Sequence, residues 1–175
     1  MSAKHWLALA PVVVLAALAM LFGVYGLNHD PHVLPEAMVG KPVPALTLPR
    51  LDTGAPEPLK AHLKGVTLVN LFASWCAPCV AENNSLMALK ASGVRIVGVA
   101  YKDKPGQVRA FLARLGDPFD TVLLDADGAA GVEFGVSGVP ETFVVNAKGK
   151  IIAKHAGELT PDVADKLLAT ASEPR

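Results

Sequence analysis

Hydrophobic positions fall in two regimes: one unbroken N-terminal run, then short apolar blocks separated by polar and glycine-rich breaks. From Trp6 to Leu27 no side chain is charged. A helix of that length spans about 33 Å at about 1.5 Å per residue, enough for a bilayer core. This predicts one N-terminal transmembrane helix, with Pro11 tolerated near its start. A cleaved signal peptide is the rival, because Lys4 supplies a positive start and Ala17-Leu18-Ala19 resembles a small-x-small cleavage site. The apolar run continues past that point through Met20-Leu21-Phe22 and Val24-Tyr25, which favours an uncleaved anchor. With Lys4 ahead of the span, the positive-inside rule leaves the N-terminus in the cytoplasm and sends the remainder across the membrane. Asn28 to Pro44, with Pro31, Pro35, Pro42 and Pro44 and little periodicity, reads as an extended tether. The division expected is residues 1–27 as cytoplasmic end and anchor, 28–40 as linker and 41–175 as the globular domain. His29 and His32 read as a solvated linker rather than metal ligands.

Within the domain, Val66 to Ala73 is nearly continuous in apolar residues, as a strand covered on both faces would be. Ala77 to Ser92 reads as a helix closed by Gly93, and Val94 to Ala100 as a second buried strand. Val108, Phe111, Leu112 and Leu115 recur at the spacing of one helix face, with Gly116 as the stop. Thr121 to Leu124 is a short strand and Ala126 to Phe134 a helix. Glu141 to Asn146 and Lys150 to Ala156 are strands joined by a Gly-containing turn, Ala147-Lys148-Gly149. Thr160-Pro161-Asp162 opens a last helix whose inner face carries Val163, Leu167 and Leu168. Parallel crossover units followed by an antiparallel hairpin require a mixed sheet covered by helices on both sides, a three-layer α/β domain.

Charge removes several function classes. The 16 Lys and Arg balance 16 Asp and Glu, and since only Lys4 precedes Asn28, the remainder carries a net charge of minus one. That leaves no electrostatic footprint for nucleic acid and no polybasic membrane patch. With 15 Gly, 14 Pro and two Cys, collagen-like, disordered and disulfide-scaffold classes are excluded too.

Those two cysteines are Cys76-Ala77-Pro78-Cys79, placed where a buried strand gives way to a helix. Cys76 then sits at a helix N-terminus, beside unpaired N–H groups that stabilise a thiolate. A metal would need about four protein ligands, and no second Cys pair or Cys/His cluster is available. A purely structural bridge closing so small a loop contributes only about 2 kcal/mol through chain entropy. A redox dithiol is therefore the favoured reading, needing no further cofactor: Cys76 attacks a target disulfide and Cys79 resolves the mixed disulfide. Lowering a thiol pKa from about 8.5 to about 7 raises the thiolate fraction at pH 7 about sixteenfold, but falling nucleophilicity takes back about fivefold. A depressed pKa thus acts mainly through redox poise and leaving-group quality.

The run Leu71-Phe72-Ala73-Ser74-Trp75-Cys76-Ala77-Pro78-Cys79 resembles the thioredoxin-fold active site, and Gly138-Val139-Pro140 resembles that fold's cis-proline loop. More specifically, Leu68–Leu71, Gly98–Asp103, Gly135–Phe143 and His155–Leu159 resemble the CcmG/DsbE family, membrane-anchored thiol-disulfide proteins of cytochrome c maturation. The Pro-Glu-Thr-Phe and Tyr-Lys-Asp runs are the specific ones. The resemblance covers nearly all of Lys41 to Leu168. It implies a thioredoxin-like fold and a periplasm-facing reductant held on the inner membrane. Its client would be the Cys-x-x-Cys-His disulfide of apocytochrome c or a disulfide of a CcmH-type partner, and its electrons would come from a DsbD- or CcdA-type membrane thiol donor.

The resemblance also distributes roles. Pro140 is implied to be cis, setting the Val139 backbone beside Cys76, where an extended client strand can pair. Trp75, Ala77, Pro78 and Glu141 join Val139 and Pro140 as the docking surface. Asn70 stands where ordinary thioredoxins carry a buried Asp, and an amide cannot take a proton. Glu82, three residues after Cys79, is the first candidate for that role, against the plainer reading of a solvated helix carboxylate. Glu141 is the second candidate. Two alternatives remain: a TlpA- or ResA-type reductant with other clients, and a Sco-like copper chaperone, which would want wider Cys spacing and a partner His. A thiol peroxidase is disfavoured because Ala73 replaces the Thr expected three residues before the first Cys.

Overall fold

The computed structural model describes the backbone of residues 3–28 and 38–172 and the side chains of residues 11–23 and 38–170. The chain divides into two compact units, Met1–Leu34 and Pro35–Arg175. The first contains α1, Ala3–Asn28, a 26-residue helix through Pro11. Among the described residues no helix is long and apolar enough to cross a membrane, the described side chains of α1 being those of residues 11–23. His29 and His32 lie outside the described residues.

The second unit is built on a five-stranded sheet. In chain order its elements are β1 (Thr47–Pro49), β2 (Pro56–Pro58), β3 (Thr67–Phe72), α2 (Ala77–Ala91), β4 (Arg95–Tyr101), α3 (Pro105–Leu115), β5 (Thr121–Asp125), α4 (Ala129–Glu133), β6 (Glu141–Val145), β7 (Ile151–Ala156) and α5 (Pro161–Ser172). The strand order is β5-β4-β3-β6-β7. β3, β4 and β5 run parallel, while β6 is antiparallel to both β3 and β7. This is the mixed sheet that the order of elements predicts. The crossovers β3-α2-β4 and β4-α3-β5 move the same way across the sheet, so right-handed connections place α2 and α3 on one face.

Two apolar layers result. Leu68, Phe72, Ile96, Ala100 and Val144 pack beneath α2, α3 and α5. Val69, Leu71, Val97, Val99, Phe143 and Val145 pack against α4 and the β1–β2 hairpin on the other side. Every residue of β3 is buried, as its continuous hydrophobicity requires. Phe72 stacks on Phe119 with centroids 4.6 Å apart, and Gly98 lies so close beneath Phe119 that a Cβ there would meet the ring at 2.9 Å.

Three details differ from expectation. The tether expected over Asn28–Pro44 is paired from Gly40 onward: Gly40 N–H donates to Ile151, Ile151 N–H to Lys41, and Val43 N–H to Gly149. The small β1–β2 sheet, followed by a 3-10 turn at Leu59–His62, lies where no strand was expected. Its three-residue strands contain Pro49, Pro56 and Pro58, which erase the alternation that marks a strand. α4 begins at Ala129 rather than Ala126, because Asp125 reaches across the intervening turn. Its carboxylate accepts from Ala130 N–H at 2.9 Å and Gly131 N–H at 3.1 Å.

Candidate active site

β3, the central strand, ends at Phe72, and a tight turn carries the chain from there into α2. Cys76, extended at φ −91° and ψ 112°, is the N-cap, and Pro78 occupies the first turn, where its missing N–H costs nothing. Cys76 and Cys79 are joined as a disulfide with Cα atoms 5.3 Å apart. The Cys79 N–H donates to Cys76 Sγ at 3.1 Å, so the atom that would carry a thiolate's charge already has a backbone donor aimed at it. Both cysteines are nearly covered, whereas Trp75, Ala77 and Pro78 around them are exposed. The Val139–Pro140 bond is cis, and the Val139 carbonyl oxygen lies 3.4 Å from Cys76 Sγ. Residues 63 positions apart thus meet at the sulfur.

Glu82 is fully buried, which removes the solvated-carboxylate alternative. It projects from the face of α2 that also carries Cys79, Asn83, Leu86 and Leu89. Its Oε1 accepts from Asn70 Nδ2 at 3.0 Å and its Oε2 from Leu159 N–H at 2.9 Å. Asn70 Nδ2 also reaches Thr142 Oγ1 at 3.0 Å. Desolvation pushes the Glu82 carboxyl up to about 7, with the Asn70 and Leu159 donors restraining the rise and Glu158 adding to it. Glu82 thus carries, one helical turn after Cys79, a carboxyl whose value lies near neutrality.

Glu141 is equally buried, so it is not an exposed strand start. Its Oε1 accepts from the Ser137 backbone N–H at 3.2 Å and hydroxyl at 3.0 Å, pinning the loop that leads to Pro140. Lys154 Nζ stands 3.1 Å from Oε2, an ion pair without hydrogen-bond alignment.

Beyond these expected residues, the structure brings in Asp103, which belongs to the Tyr-Lys-Asp run but has no role evident from sequence. Its carboxylate accepts from Ser74 N–H at 2.6 Å, Ser74 hydroxyl at 3.0 Å and Lys104 N–H at 2.7 Å. Trp75 is 59% exposed, and its indole N–H donates to the Lys102 carbonyl at 3.4 Å. Lys102 itself holds φ 45°, an uncommon backbone state for a lysine that turns its carbonyl to that indole. Thr142, Leu159 and Lys154 are likewise visible only once the strands are registered. Among the described residues no group of three His, Cys, Asp or Glu is arranged to hold a metal.

Residues 38–168 match the redoxin family. The chain is 44% identical over 141 residues to thiol:disulfide interchange protein HelX of Rhodobacter capsulatus, covering 79% of this chain and 80% of that protein. It is 39% identical over 166 residues to thiol:disulfide interchange protein DsbE of Escherichia coli K12, covering 91% and 90%. A crystal structure of a Chlorobium tepidum protein described as DsbE superposes with a TM-score of 0.63 at 30% identity, over 77% of this chain and 98% of the other. With a thioredoxin-like sheet, a CxxC pair capping α2 and relatives of this closeness, the chain belongs to the DsbE family of thiol:disulfide interchange proteins and is a thiol-disulfide oxidoreductase.

Proposed function

We propose that this oxidoreductase is a membrane-anchored reductant on the periplasmic side of the inner membrane. There it keeps the CxxCH cysteines of apocytochrome c reduced for haem attachment, directly or through a CcmH-type partner. The observation that carries the redox role is the Cys76–Cys79 bridge at the N-terminus of α2, flanked by exposed Trp75, Ala77 and Pro78 and by the Val139–Glu141 segment. A backbone edge beside a helix-capped sulfur suits an extended peptide carrying a disulfide.

The cycle moves two electrons. Cys76 thiolate attacks one client sulfur, the client S–S bond breaks, and the departing client thiolate takes a proton. Cys79 then loses its proton to Glu82 and attacks Cys76 Sγ. The mixed disulfide breaks, the second client sulfur leaves as a thiolate that takes a proton, Glu82 gives up its proton to solvent, and Cys76–Cys79 is left oxidised. A DsbD- or CcdA-type membrane dithiol returns the two electrons by the reverse exchange. No cofactor beyond the dithiol is required, and the near-neutral charge of the chain beyond Leu27, 15 Lys and Arg against 16 Asp and Glu, provides no electrostatic footprint for nucleic acid.

The anchor in this reading is α1. Val12, Val13, Leu15, Met20 and Phe22 are each more than half exposed on it, an apolar surface that a bilayer would cover. At about 1.5 Å per residue its 26 residues extend about 39 Å.

The test is trapping with Cys79→Ser in native membranes, where the mixed disulfide on Cys76 cannot be resolved. Capture of apocytochrome c or a CcmH-type protein is the expected result. Capture of other clients alone would transfer the protein to the TlpA or ResA kind of reductant, and release of the full chain by an alkaline wash would overturn the anchor.

A further inference from the structure

Lys154 touches neither cysteine, yet its environment is unusual for a lysine. Its side chain is only 3% exposed, with Nζ 3.1 Å from Glu141 Oε2, 3.4 Å from the Gly135 carbonyl and 5.4 Å from the centre of the Phe143 ring. The opposite carboxylate oxygen of Glu141 holds Ser137 by both its backbone N–H and its hydroxyl. Lys154 therefore stands at one end of a chain of contacts whose other end is the loop before Pro140, and that loop places Val139 O against Cys76 Sγ.

We propose that Lys154 is a positioning residue for client docking, acting through Glu141 to hold the Ser137–Pro140 loop in the conformation that receives the client strand. The physical reason lies in the burial of both charges. Removing the ammonium leaves Glu141 as a buried carboxylate without a counter-charge, a costly state. The cheapest relief is to let water in, and the part of the structure able to open is the loop: Ser137 and Gly138 are exposed, whereas Phe143, Val144 and Val145 are wholly covered. A displaced loop no longer offers its backbone in register beside Cys76. The sulfur chemistry, set by the α2 N-terminus, stays in place. Lys154 thus governs recognition rather than the exchange step.

This inference rests on the loop being the docking edge, and the experiment separates the two claims. Reduction of a protein disulfide is followed in the full chain with Lys154→Met, Lys154→Arg, Ser137→Ala and Gly138→Leu. Gly138→Leu tests the docking edge itself, because Gly138 is exposed and a Cβ there meets no atom within 4 Å beyond its chain neighbours, so the added side chain has room on the face a client approaches. The expected result is a KM raised about tenfold by Lys154→Met with kcat moved less than about twofold, and restored by Lys154→Arg. Ser137→Ala, at an exposed position that keeps the fold, raises KM in the same direction. In the double variant with Lys154→Met the two effects do not add, because they act through one carboxylate. If Gly138→Leu raises KM but Lys154→Met does not, or if Lys154→Met and Ser137→Ala act independently, the positioning role is wrong. If Gly138→Leu leaves KM unaltered, the docking edge itself is wrong.

Discussion

Asn70 Nδ2 donates to Glu82 Oε1 at 3.0 Å across the interface between β3 and α2, and neither residue reaches solvent. The pair divides between two side chains what one carboxylate on the strand could have done. The strand supplies an uncharged donor, and the helix supplies the group that titrates. Burial raises the Glu82 carboxyl to about 7, while the Asn70 amide holds it back from rising further.

Replacing Glu82 by Gln separates stability from proton handling. The folded-state value of about 7 exceeds the ordinary 4.5, so the folded protein holds this proton more tightly than the unfolded chain does. The associated stability is complete below pH 4.5 and is lost as pH rises to about 7. Glu82→Gln should abolish that pH dependence, which amounts to about 3 kcal/mol between about pH 4.5 and about pH 8. Urea unfolding at a series of pH values checks it. The same variant should lose the inflection near neutrality in the pH profile of disulfide reduction, with slower resolution by Cys79. A profile identical to wild type would remove Glu82 from the chemistry.

Asn70→Asp places a second carboxylate 3.0 Å from the first. Two such groups share a proton at low pH, but ionising both in a buried site costs about 2–4 kcal/mol at about pH 8. The variant should be destabilised in alkaline urea melts and nearly wild type at about pH 5, with the activity inflection displaced upward.

Asp103 should behave as a structural clamp on the cysteine loop. Asp103→Ala leaves the Ser74 and Lys104 amides without their acceptor, at about 1–3 kcal/mol. Accelerated hydrogen exchange at Ser74 and slower disulfide reduction are the expected outcomes. An unchanged Ser74 amide would show that the turn holds itself.

Asp125→Ala provides the contrast. Its carboxylate caps α4 through Ala130 and Gly131, on the sheet face opposite the cysteines. Loss of the cap should cost about 1–2 kcal/mol in urea unfolding while leaving the rate of disulfide reduction unchanged.

Much of this arrangement is legible in the residues themselves. β3 and β4 announce themselves as covered apolar runs, α3 as a repeating face, and the cysteine pair as a helix cap. What the sequence conceals depends on register. Glu82 follows Cys79 by three and precedes Leu86 by four, so it lies on the inward face of α2, and that spacing does point to burial. Its value near 7, however, requires Asn70 and Leu159 to arrive from elsewhere in the chain. Lys154 looks like one more surface lysine of a terminal hairpin until β7 is registered on β6, where Phe143 stands opposite it. The β1–β2 hairpin hides behind its prolines, and the start of α4 behind a cap that comes from the preceding strand.

Leu159 gives the site an order of completion. Its N–H reaches Glu82 across 77 positions of sequence. A chain cut between β7 and Leu159 would keep both cysteines in its sequence, yet Glu82 would have lost its second donor and the segment that seals it. Such a fragment could still form its disulfide, but its carboxyl would no longer be tuned to neutrality. The last segment of the chain therefore acts as an integrity mark: thiol reactivity is encoded early, and control of its proton arrives only with the intact C-terminal part of the domain.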